Sequence, residues 1–304
     1  MSIITTGSFP QDLRPGIRAW FGAAYANFDS KYDKIFDIKE ADERAYEEDV
    51  MMNGLGFAVV KPQGSPVTYD AGQQEYSVRY IHTVYGLGFV ITQEMIEDGI
   101  ALRKAQLFTE SLKMSMLKTR EVICASVLNN AFSLSYKMQG GDGVQLGSNA
   151  HPTRNGTQSN VPVTAADLSE ASLEQAVIDI TAYTDSRGLR IMAIPKKLII
   201  PNQLQFTAER ILKSPLRSGS ADNDINALRE MGIMPEGVVM NPYLTSSSAY
   251  FIKTDVPGLN YFNRKDMEIT DDNDFDTTNA KFKGLMRFSQ GWTDFRSLYC
   301  VNGP

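Results

Sequence analysis

The sequence predicts an α+β fold whose extensions outrun its core, and three observations predict it. The first fifty residues carry Trp20, Phe21, Tyr25, Phe28, Tyr32 and Phe36 without a helical or strand period held across them. Residues 54 to 91 are rich in β-branched and aromatic side chains, yet they include Lys61, Asp70, Gln73, Gln74, Glu75 and Arg79. That mixture suits strands projecting from a core better than strands at its centre. From about 93 to 136 there is no proline and one glycine, Gly99, the signature of a helix far longer than the roughly 12-residue average.

The totals narrow the function classes. A chain of 304 residues with 42% hydrophobic content is long enough to bury a substantial core. Its net charge of −6 argues against gripping nucleic acid, since phosphate-binding surfaces need an excess of Lys and Arg. Cys124 and Cys300 are the only cysteines, too few and too far apart for a disulfide framework or a zinc knuckle, and a reducing cytosol suits them. The start, MSIITTGSFPQDLRPG, has no charged n-region followed by an apolar run, and no stretch approaches the roughly 20 apolar residues of a membrane span. Neither export nor membrane insertion is expected.

Taken in order, residues 1 to 50 read as an arm whose aromatic surface must lie against something, because exposing it to water is costly. Residues 54 to 91 read as a hairpin: GFAVV, a KPQGSP corner, the polar strand material VTYDAGQQEYSVRYIHTVY, then GFVIT. The echoed Gly54-Leu55-Gly56-Phe57 and Gly86-Leu87-Gly88-Phe89 lack the third glycine of a phosphate cradle and read as the two bases of that hairpin. Thr92 is placed to cap the long helix, hinged at Gly99, with an apolar stripe of Ala105, Phe108, Leu112, Met116, Ile123, Val127, Ala131 and Leu134. Residues 138 to 163 are a loop by every turn signal. Asp167 is expected to cap a second helix, with Leu173, Val177, Ile180 and Thr184 on one face until Gly188 ends it. The short apolar runs LRIMAI, KLIIP, GVVMN and AYFIK read as strands of a small sheet, interleaved with a helix from Asn202 and a short one over 222–231. A period of two around Phe282 to Phe288 predicts a last strand returning to the long helix.

Catalytic chemistry is mostly missing. His82 lies within the hairpin, away from any rigid pocket. His151, in Asn149-Ala150-His151-Pro152, has Asp142 near it but no Ser or Cys motif, so it reads as a side chain tying loop backbone together. Cys124 is a mid-helix core residue. Asp271, Asp272, Asp274 and Asp276 alternate like calcium ligands, but Thr277 stands where the sharp-turn glycine belongs and Lys283 where the bidentate Glu belongs. Asn155-Gly156-Thr157 matches a glycosylation sequon that a chain without an export signal would not present to that machinery. The helix start after Gly219-Ser220-Ala221-Asp222 lacks a lysine partner and reads as a cap. No catalytic residue, cofactor site or metal site is assigned.

An arm, a polar projecting hairpin, a long helix and a compact α+β region provide much surface and a poor pocket, as in a subunit whose extensions are buried by neighbouring copies. The chain resembles the major capsid (head) proteins of tailed bacteriophages, with the Hong Kong 97 fold. The residues carrying the resemblance are Ser8-Phe9-Pro10, Trp20-Phe21-Gly22, the run Tyr85-Gly86-Leu87-Gly88-Phe89-Val90-Ile91-Thr92-Gln93-Glu94-Met95, Gly140-Gly141-Asp142-Gly143, Ala150-His151-Pro152 and Gly291-Trp292-Thr293-Asp294. The resemblance implies an N-terminal arm (1–50), an extended-loop β-hairpin (51–92), a peripheral domain with a spine helix (93–188), an axial domain (189–265) and a return to the peripheral domain (266–304). It also implies homo-hexamers and homo-pentamers closing into an icosahedral shell around double-stranded DNA held non-specifically. Expected partners are a portal protein, a scaffolding protein and a decoration protein, with assembly in the host cytoplasm and a final place in the virion. The arm begins almost at Met1, so scaffolding would come from another polypeptide or a segment already removed. Some relatives weld subunits through a Lys to Asn isopeptide bond; Lys61 sits in the hairpin, but no Asn or catalytic Glu is identified for it, and it reads more simply as a solvated charge. Because large aromatics and Arg carry most interface energy, the expected contacts between copies are Trp20, Phe21 and Phe28 on the arm and Lys61, Tyr69, Tyr76 and Arg79 on the hairpin. Two rival readings are an encapsulin-like nanocompartment shell of the same fold and, from a different class, a cytosolic hydrolase using His151 and Asp142.

Overall fold

The computed structural model describes residues 28–97, 101–134, 140–216, 225–274 and 278–303. The chain runs through α1 (Tyr32–Ile35), β1 (Asp37–Glu40), β2 (Tyr46–Met52), β3 (Gln74–Ile81), β4 (Thr83–Ile91), α2 (Gln93–Glu97) and the long α3 (Ala101–Asn129). A small ribbon follows, β5 (His151–Thr153) with β6 (Gly156–Gln158), then α4 (Glu170–Thr181), β7 (Pro195–Ile200), α5 (Gln205–Lys213), α6 (Ala227–Glu230), β8 (Val238–Met240) and β9 (Tyr250–Thr254). The last elements are β10 (Leu259–Asn273), β11 (Ala280–Trp292) and β12 (Leu298–Val301).

One sheet has the order β1-β10-β11-β4, and α3 packs across one of its faces. Alternation along β11 explains the packing: Phe282, Met286 and Phe288 are buried, and Gly284 leaves the space that Met116 of α3 fills. This is the expected returning strand. On α3, Ala105, Leu112, Met116 and Val127 are buried as the stripe predicts, but Phe108 is exposed, as is Leu134 beyond the helix end. The helix stops at Asn129 rather than near 136, and the Asn129 side chain ties its end to the chain after β8: its amide donates to Tyr243 O (3.0 Å) and its oxygen accepts from Thr245 N (2.9 Å). Its 29 residues make a rod of about 44 Å at 1.5 Å per residue. Gly99 lies outside the described residues.

The strand pairing differs from the expected hairpin. β3 pairs antiparallel with β2, not with β4, and residues 53 to 73 form the connection between them. β4 belongs to the body, paired along its length with β11. The acidic run YEEDV, which falls within the expected arm, is a strand whose charge is answered across the ladder: Glu48 faces Arg79 and bonds its guanidinium at 2.7 and 2.9 Å. Gly88 is no hinge; a side chain there would meet the Phe282 carbonyl of β11. GFAVV forms no strand.

The second sheet, β12-β9-β7-β8, is buried on both faces. Ile199, Phe251, Leu298 and Cys300 point into the core shared with α3 and β11. Leu198, Ile200, Tyr250, Ile252, Tyr299 and Val301 point into a second core closed by α4, α5 and α6. α4 is capped by Ser169, whose hydroxyl accepts from Ser172 N in a capping box, two residues later than the expected Asp167. It ends at Thr181, and Gly188 (φ +89°) belongs to the turn that follows. LRIMAI forms no strand; Met192 takes φ +53° there. The expected start of the short helix at Asp222 lies outside the described residues, and the helix itself is confined to Ala227–Glu230 under an Asn226 cap.

Candidate assembly surface

The connection between β2 and β3 is a projecting loop clamped at its root. Asn53 N donates to Gln73 O and Gln73 N donates to Asn53 Oδ1, both at 3.0 Å, which locks the two legs together. One level out, Gly56 N donates to Asp70 Oδ2 (2.8 Å), and Arg187 grips the same carboxylate while donating to Ala71 O (3.2 Å). The Arg187 guanidinium, helped by the Gly56 N–H, holds the Asp70 carboxyl below the usual carboxylate range. Arg154 reaches Gln73 Oε1 at 2.8 Å. Beyond the clamp the chain turns back where Ser65 N meets Pro62 O (3.2 Å), with Gly64 at φ +82°, a conformation that favours glycine.

The outer loop exposes Leu55, Phe57, Val59, Val60, Val67 and Tyr69, with Phe57 at 84%, Val60 at 93% and Tyr69 at 92% of full exposure. Single exposed apolar residues are ordinary, but a contiguous set on one projection marks an interaction surface. Of the residues expected at contacts between copies, Lys61 and Tyr69 lie on this loop and are exposed. Arg79 is also exposed, stacked over the Tyr46 ring (4.3 Å). Tyr76 is turned the other way: its hydroxyl donates to Thr293 O (3.0 Å), its ring fills the space above Gly141, and burial, with the charges of Asp294 and Asp142, pushes its phenol up. Phe28 is partly buried ahead of α1. Trp20 and Phe21 lie outside the described residues. Sequence reasoning missed Leu55, Phe57, Val59, Val60 and Val67; their β-branched composition signals a strand, whereas their lack of alternation with polar residues was the available sign that no sheet face receives them.

The hairpin base sits on a buried knot. Tyr80 Oη and Thr293 Oγ1 are 2.6 Å apart, Thr293 Oγ1 donates to Asp49 Oδ2 (2.7 Å), and Asn260 Nδ2 donates to Asp49 Oδ2 (2.8 Å). Gly291 and Gly140 admit the Tyr80 ring and the Trp292 indole. Behind Trp292, His151 Nδ1 is 2.6 Å from Asp142 Oδ2, while its Nε2 faces Leu146 O (3.1 Å) and Asn160 Oδ1 (3.2 Å). The imidazole stacks flat on Phe295 at 3.9 Å, whose ring also carries the Arg296 guanidinium at 4.5 Å. His151 and Asp142 side chains have no exposed surface, so this pair ties loop backbone together and offers nothing to a substrate. Asp294, paired with Arg296 at 3.1 Å, has its carboxyl pushed up by burial, which the guanidinium opposes.

A family model described as phage capsid protein matches residues 75–301. No curated protein sequence matches. Among solved structures, a chain of Microbacterium phage Oxtober96 aligns with a TM-score of 0.57 at 11% identity, over 91% of this chain and 92% of that one. The capsid of Myoviridae phage XM1 aligns at 0.56 and 9% identity, over 91% and 93%. The capsid of an empty GTA particle aligns at 0.56 and 12% identity, over 91% of each chain.

Proposed function

The chain belongs to the phage capsid protein family and has a Hong Kong 97-like capsid fold, and from that premise we propose that it closes through hexamers and pentamers into an icosahedral head around double-stranded DNA. Family and fold are those of a structural protein. The observation that carries the proposal is the clamped loop with Phe57, Val60 and Tyr69 held in solvent. Nothing among the described residues covers this surface, and a second copy would. The five-part division into arm, extended loop, peripheral domain, axial domain and return follows from the same reading. It takes one adjustment: the projecting hairpin starts at Tyr46, and β4 is part of the peripheral sheet. Lys61, Tyr69 and Arg79 remain contact candidates, with Trp20, Phe21 and Phe28 contributed by the arm, whereas Tyr76 acts by seating the hairpin on Thr293.

Against the nanocompartment alternative stands the phage family match itself. A net charge of −6 suits a subunit that encloses DNA without gripping it, and a portal, a separate scaffolding protein and a decoration protein complete the proposed set of partners, in the host cytoplasm during assembly and in the virion afterwards. Negative-stain imaging of the full chain, alone and with its scaffolding protein, tests the reading. Closed shells of mega-dalton mass are expected; monomers under both conditions overturn it.

A further inference from the structure

On the sheet face turned away from α3, the described structure leaves two arginines without partners. β10 bulges between Asn263, which pairs with Phe288, and Lys265, which pairs with Arg287. The extra residue in the bulge is Arg264, set opposite Arg287, and bulges are a recognised means of re-aiming a side chain. Ser289, two residues along β11 on the same face as Arg287, meets His82 Nδ1 at 3.0 Å. His82 is 95% buried by its 5% exposure, and its Nε2 has no hydrogen-bond partner; the nearest carboxylate oxygen, Glu47 Oε1, is 3.8 Å away. The Nε atoms of Arg264 and Arg287 are likewise buried and unbonded, and neither side chain forms an ion pair among the described residues.

This sets the two apart from the other arginines under cover. Arg120 and Arg296 also have one buried, unbonded nitrogen each, but Arg120 lies over the Tyr32 ring and Arg296 holds Asp294, while Arg187 grips Asp70. A partly buried guanidinium with buried, unbonded nitrogen is unfavourable unless an anion completes it.

Resting on the shell reading above, we infer that Arg264 and Arg287, with His82 behind them, form a receptor for a carboxylate on a second copy of this chain. Charge complementarity selects that occupant. The sequence carries 36 acidic against 30 basic residues, so every neighbouring copy presents carboxylates in excess, and Glu40, Glu43 and Glu230 are exposed. A surface tracking nucleic acid needs an extended run of cations. Here the two guanidiniums already have acids at their rim: Glu47 beside His82, and Glu268, which holds Lys265 (2.6 Å) and pairs with Leu285 on the face of Arg287. Such a rim repels a polyanion and tolerates one inserted carboxylate, which a guanidinium fork receives in bidentate geometry.

The test uses the full chain in two double variants, under nuclease treatment so that shells form free of DNA. Arg264→Gln with Arg287→Gln is expected to lower the assembled fraction at least tenfold at equal concentration while the unassembled subunit keeps its melting temperature. Arg264→Lys with Arg287→Lys is expected to assemble, and carbodiimide treatment of shells built from mixed isotope-labelled and unlabelled copies should join position 264 or 287 to an Asp or Glu of another copy. Cross-links confined to one chain, or undiminished assembly of the Gln variant, overturn the inference and leave the shell reading standing. If the Gln variant forms normal shells and, in a parallel assembly without nuclease, loses only DNA retention, the cluster is assigned to phosphate and the inference is also overturned. Failure of the unaltered chain to form any shell removes the shell reading, and this inference with it.

Discussion

Replacing Phe57 and Val60 together with serine tests whether the loop finds its cover on another copy. Both side chains are nearly fully solvated in the isolated chain, at 84% and 93% exposure. Their loss should therefore leave subunit stability within about 0.5 kcal/mol, the usual range for surface changes away from special features. In the proposed shell a second copy would bury the same side chains, and full burial of a Phe or Val is worth about 1.5–3 kcal/mol each. Taking the low end for both, because ordering the loop opposes the gain, gives about 3 kcal/mol lost per subunit contact. At roughly 1.4 kcal/mol per decade that is on the order of a hundredfold rise in the concentration needed for assembly. Light scattering across a dilution series gives that concentration, and a thermal melt of the unassembled chain gives the control. A large fall in melting temperature would mean that the loop packs on its own body; an unchanged assembly threshold would mean that nothing packs on it. Either result refutes the reasoning.

Thr293→Val removes the hydroxyl shared by Tyr80 and Asp49 and is expected to cost about 1–3 kcal/mol in urea unfolding, since buried polar partners are left unpaired; a change under 0.5 kcal/mol would argue against the knot. Burial lowers the pKa of His82 from 6.5. The unfolded chain therefore takes up that proton first, so the His82 contribution is present above pH 6.5 and is lost as pH falls through the lowered folded value. Thermal melts of the unassembled chain from pH 7.5 downward should show this slope, and His82→Gln should flatten it; parallel profiles for the two proteins would contradict the assignment. Burial also pushes both thiols up, Cys124 and Cys300 alike, so an alkylating reagent should label neither in the native subunit and both after denaturation. Rapid native labelling would place a cysteine at the surface.

What the sequence made legible was whatever periodicity alone decides. The stripe on α3 and the alternation of Phe282, Met286 and Phe288 follow directly from burying one face of an element. Strand partners were not legible, because partner choice depends on long-range register: the acidic β2 reads as part of the arm until Arg79 stands across from Glu48. Cap positions were off by two residues where Asp167 and Ser169 both suit an N-cap. Of the contact candidates, Tyr69 and Lys61 were legible as loop residues, whereas the seat of Tyr76 was not, because nothing local says that its hydroxyl reaches Thr293, far along the chain.

Several of the residues that carried the resemblance gather where the hairpin meets the body. Gly140, Gly141, Asp142, His151, Trp292, Thr293 and Asp294 all belong to the knot or the packing directly behind it. None of them faces a neighbour through an exposed side chain. That separation has a physical basis. A projecting loop binds weakly if association must also order it, at about 1–2 kcal/mol of backbone entropy per residue, so its root must be fixed before contact. The knot fixes β2 and β3 on the sheet, and the Asn53–Gln73 and Asp70–Arg187 links fix the loop on β2 and β3. Exposed ion pairs add little to folding, so the place for Asp70–Arg187 to matter is presentation of the loop: Arg187→Ala should leave the melting temperature of the subunit in place and slow its entry into shells.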